Sequence, residues 1–322
     1  VATSIWFWVA FNAFVLLMLA LDLGVFHRRA HEVKLKEAAT WSVVWVSVAL
    51  LFNLGLYFFA GRQPALEFLT GYLVEKSLAV DNIFVIAMIF SYFAVPAMYQ
   101  HRVLFWGILG ALVMRGAFIG MGAYALERWH WIIYLFGGLL LLTGIKMALK
   151  KDDDHFDGER NPVVRFARRF VPLTPRYDGQ KFWTVENGKR VATPLFLVLL
   201  LVEVSDLVFA IDSIPAIFAI TKDPFLVYTS NVFAILGLRS MYFLLAGVMH
   251  KFVYLKYGLA GVLVFVGAKM MLIDLYKVPT AVSLGVIAVL IGGSIALSFW
   301  KTRGEPVAEP AKGPLGTPTP AT

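Results

Sequence analysis

Nine stretches of this sequence stay apolar for about 20 residues each, at roughly 4–26, 39–60, 66–92, 102–124, 130–149, 193–219, 224–249, 253–275 and 280–300. A helix needs about 20 apolar residues to cross a bilayer, so each stretch predicts one crossing. The runs are continuous rather than alternating, which removes a transmembrane β-barrel. The first is too long for a signal peptide, and it lacks a basic start and a small-residue cleavage site. Composition agrees: 59% of residues are hydrophobic and 16% charged, against about 45–50% and 25% in soluble domains. The expected fold is an all-α polytopic membrane protein of about nine helices. Spans 1–5 fill 1–149, a polar loop 150–192, spans 6–9 193–300 and a disordered Pro-rich tail 301–322.

Lysine and arginine set the direction. With the N-terminus outside, 20 of them fall on the inner side, including ten in 150–192, and only Arg62, Arg128, Lys222 and Lys277 fall outside. This asymmetry predicts an N-out, C-in protein of the bacterial inner membrane. The net charge of +8 is then a positive-inside signature that meets anionic lipid headgroups, and it calls for no nucleic-acid partner. The 322 residues contain no cysteine, which excludes disulfides, thiolate metal sites and cysteine nucleophiles.

Three landmarks recur in order. Glu75-Lys-Ser-Leu-Ala-Val-Asp81-Asn82-Ile matches Asp206-Leu-Val-Phe-Ala-Ile-Asp212-Ser213-Ile. Ile108-Leu-Gly110 matches Ile235-Leu-Gly237, and Tyr134, Gly138, Gly144 and Lys146 match Tyr257, Gly261, Gly267 and Lys269 at identical spacing. Spans 3–5 therefore reappear as spans 6–8. Three is odd, so the copies must cross in opposite directions, as in transporters whose substrate site lies at the interface of inverted repeats. A duplication retained only for packing is the plainer alternative.

The repeat preserves acids inside the membrane: Glu75 and Asp81 in span 3, and Glu203, Asp206 and Asp212 in span 6. At roughly 2.5–3.5 kcal/mol per acid at a helix centre, they need partners. Lys76, Arg115 and Arg239 are available as bases, and a bound cation is the other choice. The alternative to a cation site is a network of buried salt bridges, but five acids against three bases leave it short of counter-charge. Asn82 and Ser213 add neutral oxygens, seven residues after Glu75 and Asp206 and on the same helix faces. Oxygen-only chemistry suits Mn2+, Mg2+ or Ca2+ over Zn2+ or Cu+, since all six histidines fall in loops or at span ends. The expected metal-binding set is Glu75, Asp81, Asn82, Glu203, Asp206, Asp212 and Ser213. Pro215 predicts local unwinding near Asp212, because it deprives the Ile211 carbonyl of its helical donor.

These stretches resemble the signature sequences of the TerC family, in its Alx-like branch: Glu75 to Val85, Glu203 to Thr221, Ser230 to Leu245 and Lys256-Tyr-Gly-Leu-Ala260. The resemblance runs from about Asp22 to Trp300. It implies a membrane protein related to LysE-type exporters, associated with manganese efflux and, by the family's name, with tellurium resistance. It also implies metal handling by Glu75, Asp81, Glu203, Asp206 and Asp212.

The functional expectation is a divalent-cation exporter, for Mn2+ above other ions, with no cofactor besides the transported ion and with a homo-oligomer left open. Proton exchange fits, since protons and metal compete for the same carboxylate oxygens. The alternative is a non-transporting membrane modulator of metal or redox stress proteins, acting through 150–192 and the tail. An enzyme is not expected, as the spans hold no Gly-x-Ser-x-Gly or His-Glu-x-x-His motif. Weaker candidates are Asp22 at an inner entrance and the acidic run Asp152 to Asp157. Trp41, Trp45, Trp106, Trp129, Trp131 and Trp300 are expected to face lipid or its interface.

Overall fold

The computed structural model describes residues 5–21, 35–149, 162–186, 188–246, 252–276 and 278–302. Asp22, the acidic run 152–157 and the tail from 303 lie outside the described residues. Eleven helices are described: α1 (Ile5–Leu21), α2 (Leu35–Phe59), α3 (Arg62–Tyr92), α4 (Ala97–Arg128), α5 (Ile132–Leu149), α6 (Pro162–Phe170), α7 (Pro194–Phe218), α8 (Pro224–Leu236), α9 (Leu238–Leu245), α10 (Leu255–Met271) and α11 (Thr280–Lys301). A hairpin of β1 (Trp183–Glu186) and β2 (Lys189–Ala192) precedes α7, with Trp183 opposite Ala192. It lies within the polar loop, whose segment Lys181–Val185 reads as strand-like.

Among the described residues, five helices are long and apolar enough to cross a membrane: α2, α4, α5, α7 and α11, while α1 and α8 are shorter apolar helices. The polarity of the bundle is inverted relative to a soluble protein. Phe58, Val113, Leu142 and Val289 are 70–72% exposed. Glu75, Asn82, Arg115, Ser213, Asn231 and Arg239 are buried. A surface of large apolar side chains over a polar interior is what a hydrocarbon solvent selects.

Helices α3, α4, α7 and α8 form the centre: α3 packs on α7 and α8, and α4 packs on the same two. Phe11 of α1 and Phe52 of α2 lie against Phe233 of α8, with ring centroids 5.6 and 5.0 Å away, and Phe52 lies 5.2 Å from Phe68 of α3. Such pairs contribute about 0.5–1.5 kcal/mol each beyond their buried area, which fixes the first two helices against the centre. Trp45 departs from expectation. It is buried at 3% exposure within this cluster, whereas Trp106, Trp129, Trp131 and Trp300 are exposed.

On the other flank α5 crosses α10 at very short range. A Cβ at Gly144 would lie 2.9 Å from the Ala260 carbonyl and 3.0 Å from Val264 N. A Cβ at Gly267 would lie 2.8 Å from both the Gly137 carbonyl and Leu141 N. Only glycine permits backbone to meet backbone there.

Two helix features differ from the expectation. No unwinding occurs at Pro215, which lies inside α7. It stands three residues from the end of the helix, and the helix closes past it through Ala219 N to the Pro215 carbonyl at 3.0 Å. Proline's fixed φ suits a helix, so the cost reduces to the orphaned Ile211 carbonyl. The break occurs instead in the stretch expected as one span over 224–249, where Gly237 separates α8 from α9. Lys76 of α3 reaches this point, and its Nζ donates to the Ala234 carbonyl at 3.4 Å. The last carbonyls of a helix lack donors and carry its negative end, so an ammonium group there stabilises the interruption. A side chain at Gly237 would collide with Lys76.

Candidate functional site

Arg115 organises the centre of the bundle. It extends from α4 and is 2% exposed, among the most buried large side chains described. Its Nη2 donates to Asp206 Oδ1 at 2.7 Å and its Nε to Oδ2 at 3.1 Å, a two-pronged grip on one carboxylate. Its Nη1 donates to Glu75 Oε1, to Asn231 Oδ1 at 3.1 Å and to Ser213 Oγ at 3.4 Å. Asn82 Nδ2 donates to Asp206 Oδ1 at 3.2 Å. Four helices thus converge on one guanidinium. The fork geometry of arginine suits two carboxylates from different helices, which a lysine could meet only as a point charge.

The helical register explains the convergence. Glu75 and Asn82 are two turns apart on one face of α3, and Asp206 and Ser213 are likewise paired on α7. Asn82 meets Asp206 directly, while Glu75 meets Ser213 through Arg115, so the two helices run antiparallel here. Asp81 and Asp212 sit six residues beyond Glu75 and Asp206, hence about 9 Å along each axis. They adjoin Asn82 and Ser213 but stand on other faces of their helices, Asp212 toward Thr143 of α5 and Asp81 toward the start of α10.

Of the expected metal-binding residues, the structure brings together Glu75, Asn82, Asp206 and Ser213. It leaves Asp81, Glu203 and Asp212 outside the arginine's reach. Among the described residues, no group of three or more His, Asp or Glu side chains is placed to hold one ion. Asp212 is half-buried and accepts from Thr143 Oγ1 of α5 at 3.0 Å. Asp81 is half-buried on α3, with the charge of Lys256, at the start of α10, acting on it. Glu203 lies against α4 at Gly110, where an added Cβ would overlap its carboxylate.

Some polar atoms here remain uncommitted. Glu75 Oε2, Asn82 Oδ1 and Glu203 Oε2 are buried with no hydrogen-bond partner among the described residues. Asn82 and Asp206 also line a small cavity with Ser205, Gly107, Ala111 and Leu238. It offers about 20 Å³ to the centre of a water-sized sphere, room for one water or one bare ion.

Sequence reasoning named one participant without its central place and missed two. Arg115 was weighed only as one base of three, although it is the basic residue of span 4 nearest mid-membrane. Asn231 lies outside the repeated landmarks. Thr143 lies one residue before Gly144, and only the fold places it by Asp212.

The family profile described as "Integral membrane protein TerC family" matches residues 60–305. The chain belongs to the TerC family. Among TerC-type relatives, an "Uncharacterized membrane protein STKORF319" of Myxococcus xanthus is 58% identical over 302 residues, covering 94% of each chain. "Putative membrane-bound redox modulator Alx" of Escherichia coli K12 is 52% identical over 302 residues, covering 91% of this chain and 94% of its own. An "Uncharacterized membrane protein" of Rickettsia bellii is 39% identical over 284 residues, 88% and 94% of the two chains. No solved structure matches the chain. As a TerC-family member with several apolar membrane-length helices, it is a multi-pass membrane protein.

Proposed function

We propose that this protein exports a divalent cation, Mn2+ before other ions, across the bacterial inner membrane, with tellurium resistance as a family association. The observation that carries this reading is the meeting of Glu75 and Asp206, from two antiparallel helices, deep within an apolar-surfaced bundle and beside unpartnered carboxylate and amide oxygens. Intramembrane acids are costly and mark ion paths more often than structure. Asp81 and Asp212, outside the arginine's reach, provide further carboxylates beside the centre. The available ligands are oxygens, which favour a hard cation over Zn2+ or Cu+.

In this reading α3–α5 and α7–α10 are copies of an inverted three-helix repeat within nine crossings, α8 and α9 together making one, with the N-terminus outside and the C-terminus inside. The reciprocal contacts of Gly144 and Gly267 support it. Gly144 meets Ala260 and Val264, Gly267 meets Gly137 and Leu141, and one shift of 123 residues converts the first contact into the second. Each would change places under a two-fold axis in the membrane plane.

A second reading, a membrane modulator of redox proteins, is favoured by the names of several relatives. The absence of cysteine from these 322 residues means that such a role would not run through thiols of this chain. Everted membrane vesicles loaded with a manganese-sensitive dye separate the two. Export predicts Mn2+ uptake that depends on the protein and responds to an imposed pH gradient. Vesicles with and without the protein that fill equally would refute transport.

A further inference from the structure

We propose that Arg115 is a tethered stand-in for the transported cation, occupying the central carboxylates until metal displaces it. The proposal rests on the cation-export reading and names the residue that gates its site.

The same Asp206 oxygens that a metal would need are held by Arg115 Nη2 and Nε at 2.7 and 3.1 Å, and Glu75 Oε1 by Nη1. A guanidinium and a divalent ion cannot share these oxygens, because like charges at ligand distance repel strongly where water is scarce. The arrangement also leaves a way in and a way out. Asn82, Ser205 and Asp206 are the polar residues bordering the small, otherwise apolar cavity, so they are the side chains an ion there could bind. Asn231 Oδ1 and Ser213 Oγ already accept from Nη1, and they could keep the guanidinium hydrogen-bonded once it releases Asp206. Charge favours the exchange being coupled. One arginine leaves the pair of acids with one negative charge in excess, whereas a divalent ion neutralises both. Metal binding and Arg115 withdrawal are then one event, and the empty protein never exposes two bare carboxylates to the membrane interior. Glu75 Oε2 and Asn82 Oδ1, buried with no hydrogen-bond partner among the described residues, are oxygens that a metal could take up beside those Arg115 holds.

The test is Mn2+ binding to purified protein in detergent, with transport measured alongside. A state blocked by its own arginine binds metal with an affinity reduced by the fraction that is open. Removing the blocker in Arg115→Gln should therefore tighten Mn2+ binding by about tenfold or more, if the open state is about 10% or less, while slowing turnover. Arg115→Lys keeps a positive charge but loses the fork, and it should tighten binding by a smaller factor. It serves where the glutamine variant fails to accumulate. Wild-type protein that neither binds nor moves Mn2+ overturns the export reading and this proposal with it. Wild-type protein that transports Mn2+, with neither variant binding more tightly, overturns the stand-in role alone.

Discussion

At the scale of single residues, four of the five intramembrane acids fall into two classes by partner. Glu75 and Asp206 hold a buried guanidinium, whereas Asp212 holds a threonine hydroxyl and Asp81 accepts no hydrogen bond among the described contacts. Neutralising one member of a buried ion pair leaves the other uncompensated, at about 3–5 kcal/mol. Arg115 is the base that Glu75 and Asp206 share, so Arg115→Gln should lower the amount of folded protein in the membrane, whereas Glu75→Gln or Asp206→Asn leaves Arg115 paired with the remaining carboxylate and should accumulate better. Asp212→Asn strands no base, and Asp81→Asn removes only the charge that faces Lys256 at the start of α10. They should leave protein levels unchanged and abolish Mn2+ transport, as read by immunoblot and vesicle uptake on the same preparations. Normal transport in both would remove these two acids from the path. Thr143→Val deletes one hydroxyl donor to Asp212, and it should cost about 1 kcal/mol or less of stability. A loss of several kcal/mol in thermal unfolding would mean that Thr143 supports more than that bond.

Helix positions could be read from apolar runs, because hydrocarbon length and helical rise leave little freedom: the expected 130–149 is α5 (Ile132–Leu149) and 280–300 is α11 (Thr280–Lys301). Interruptions were harder. Pro215 looked like a break but costs one carbonyl near a helix end, while the break lies at Gly237, where the decisive group is Lys76 from another helix. A contact of that separation carries no local signal. The acids followed the same rule. Their faces could be read from seven-residue spacing, but which of them a base would claim depended on how α4 rotates against α3 and α7. The crossing of α5 and α10 belongs to this scale and gives its own prediction. Gly144→Leu or Gly267→Leu places a side chain where backbone now lies within 3.0 Å, and it should destabilise by about 1–3 kcal/mol or more. Gly138→Leu, which meets nothing within 4 Å, should be neutral. Thermal unfolding in detergent compares the three, and equal losses would deny the crossing its close contact.

For the whole molecule, the distribution of lysine and arginine and the helix order make a joint statement about sidedness. Reporter domains active only in the cytoplasm should work after Arg29, Arg169 and Arg303 and fail after Arg62 and Lys222. Activity after Lys222 would undo the inverted arrangement of the two halves. Expression should also protect cells from excess Mn2+ with little effect on Zn2+, and equal protection against Zn2+ would contradict an all-oxygen path.

The glycine crossing also limits how such a molecule can move. Gly144 meets Ala260 and Val264, and Gly267 meets Gly137 and Leu141, so the main chains touch at two points two helical turns apart. Two rivets turn a pair of blades into one plate: neither sliding nor swivelling is free, and α5 and α10 should travel together. Spin labels on the exposed Leu142 and Tyr257 should therefore keep their separation between metal-free and metal-loaded protein. A changed separation would mean that the two contacts do not hold the pair together.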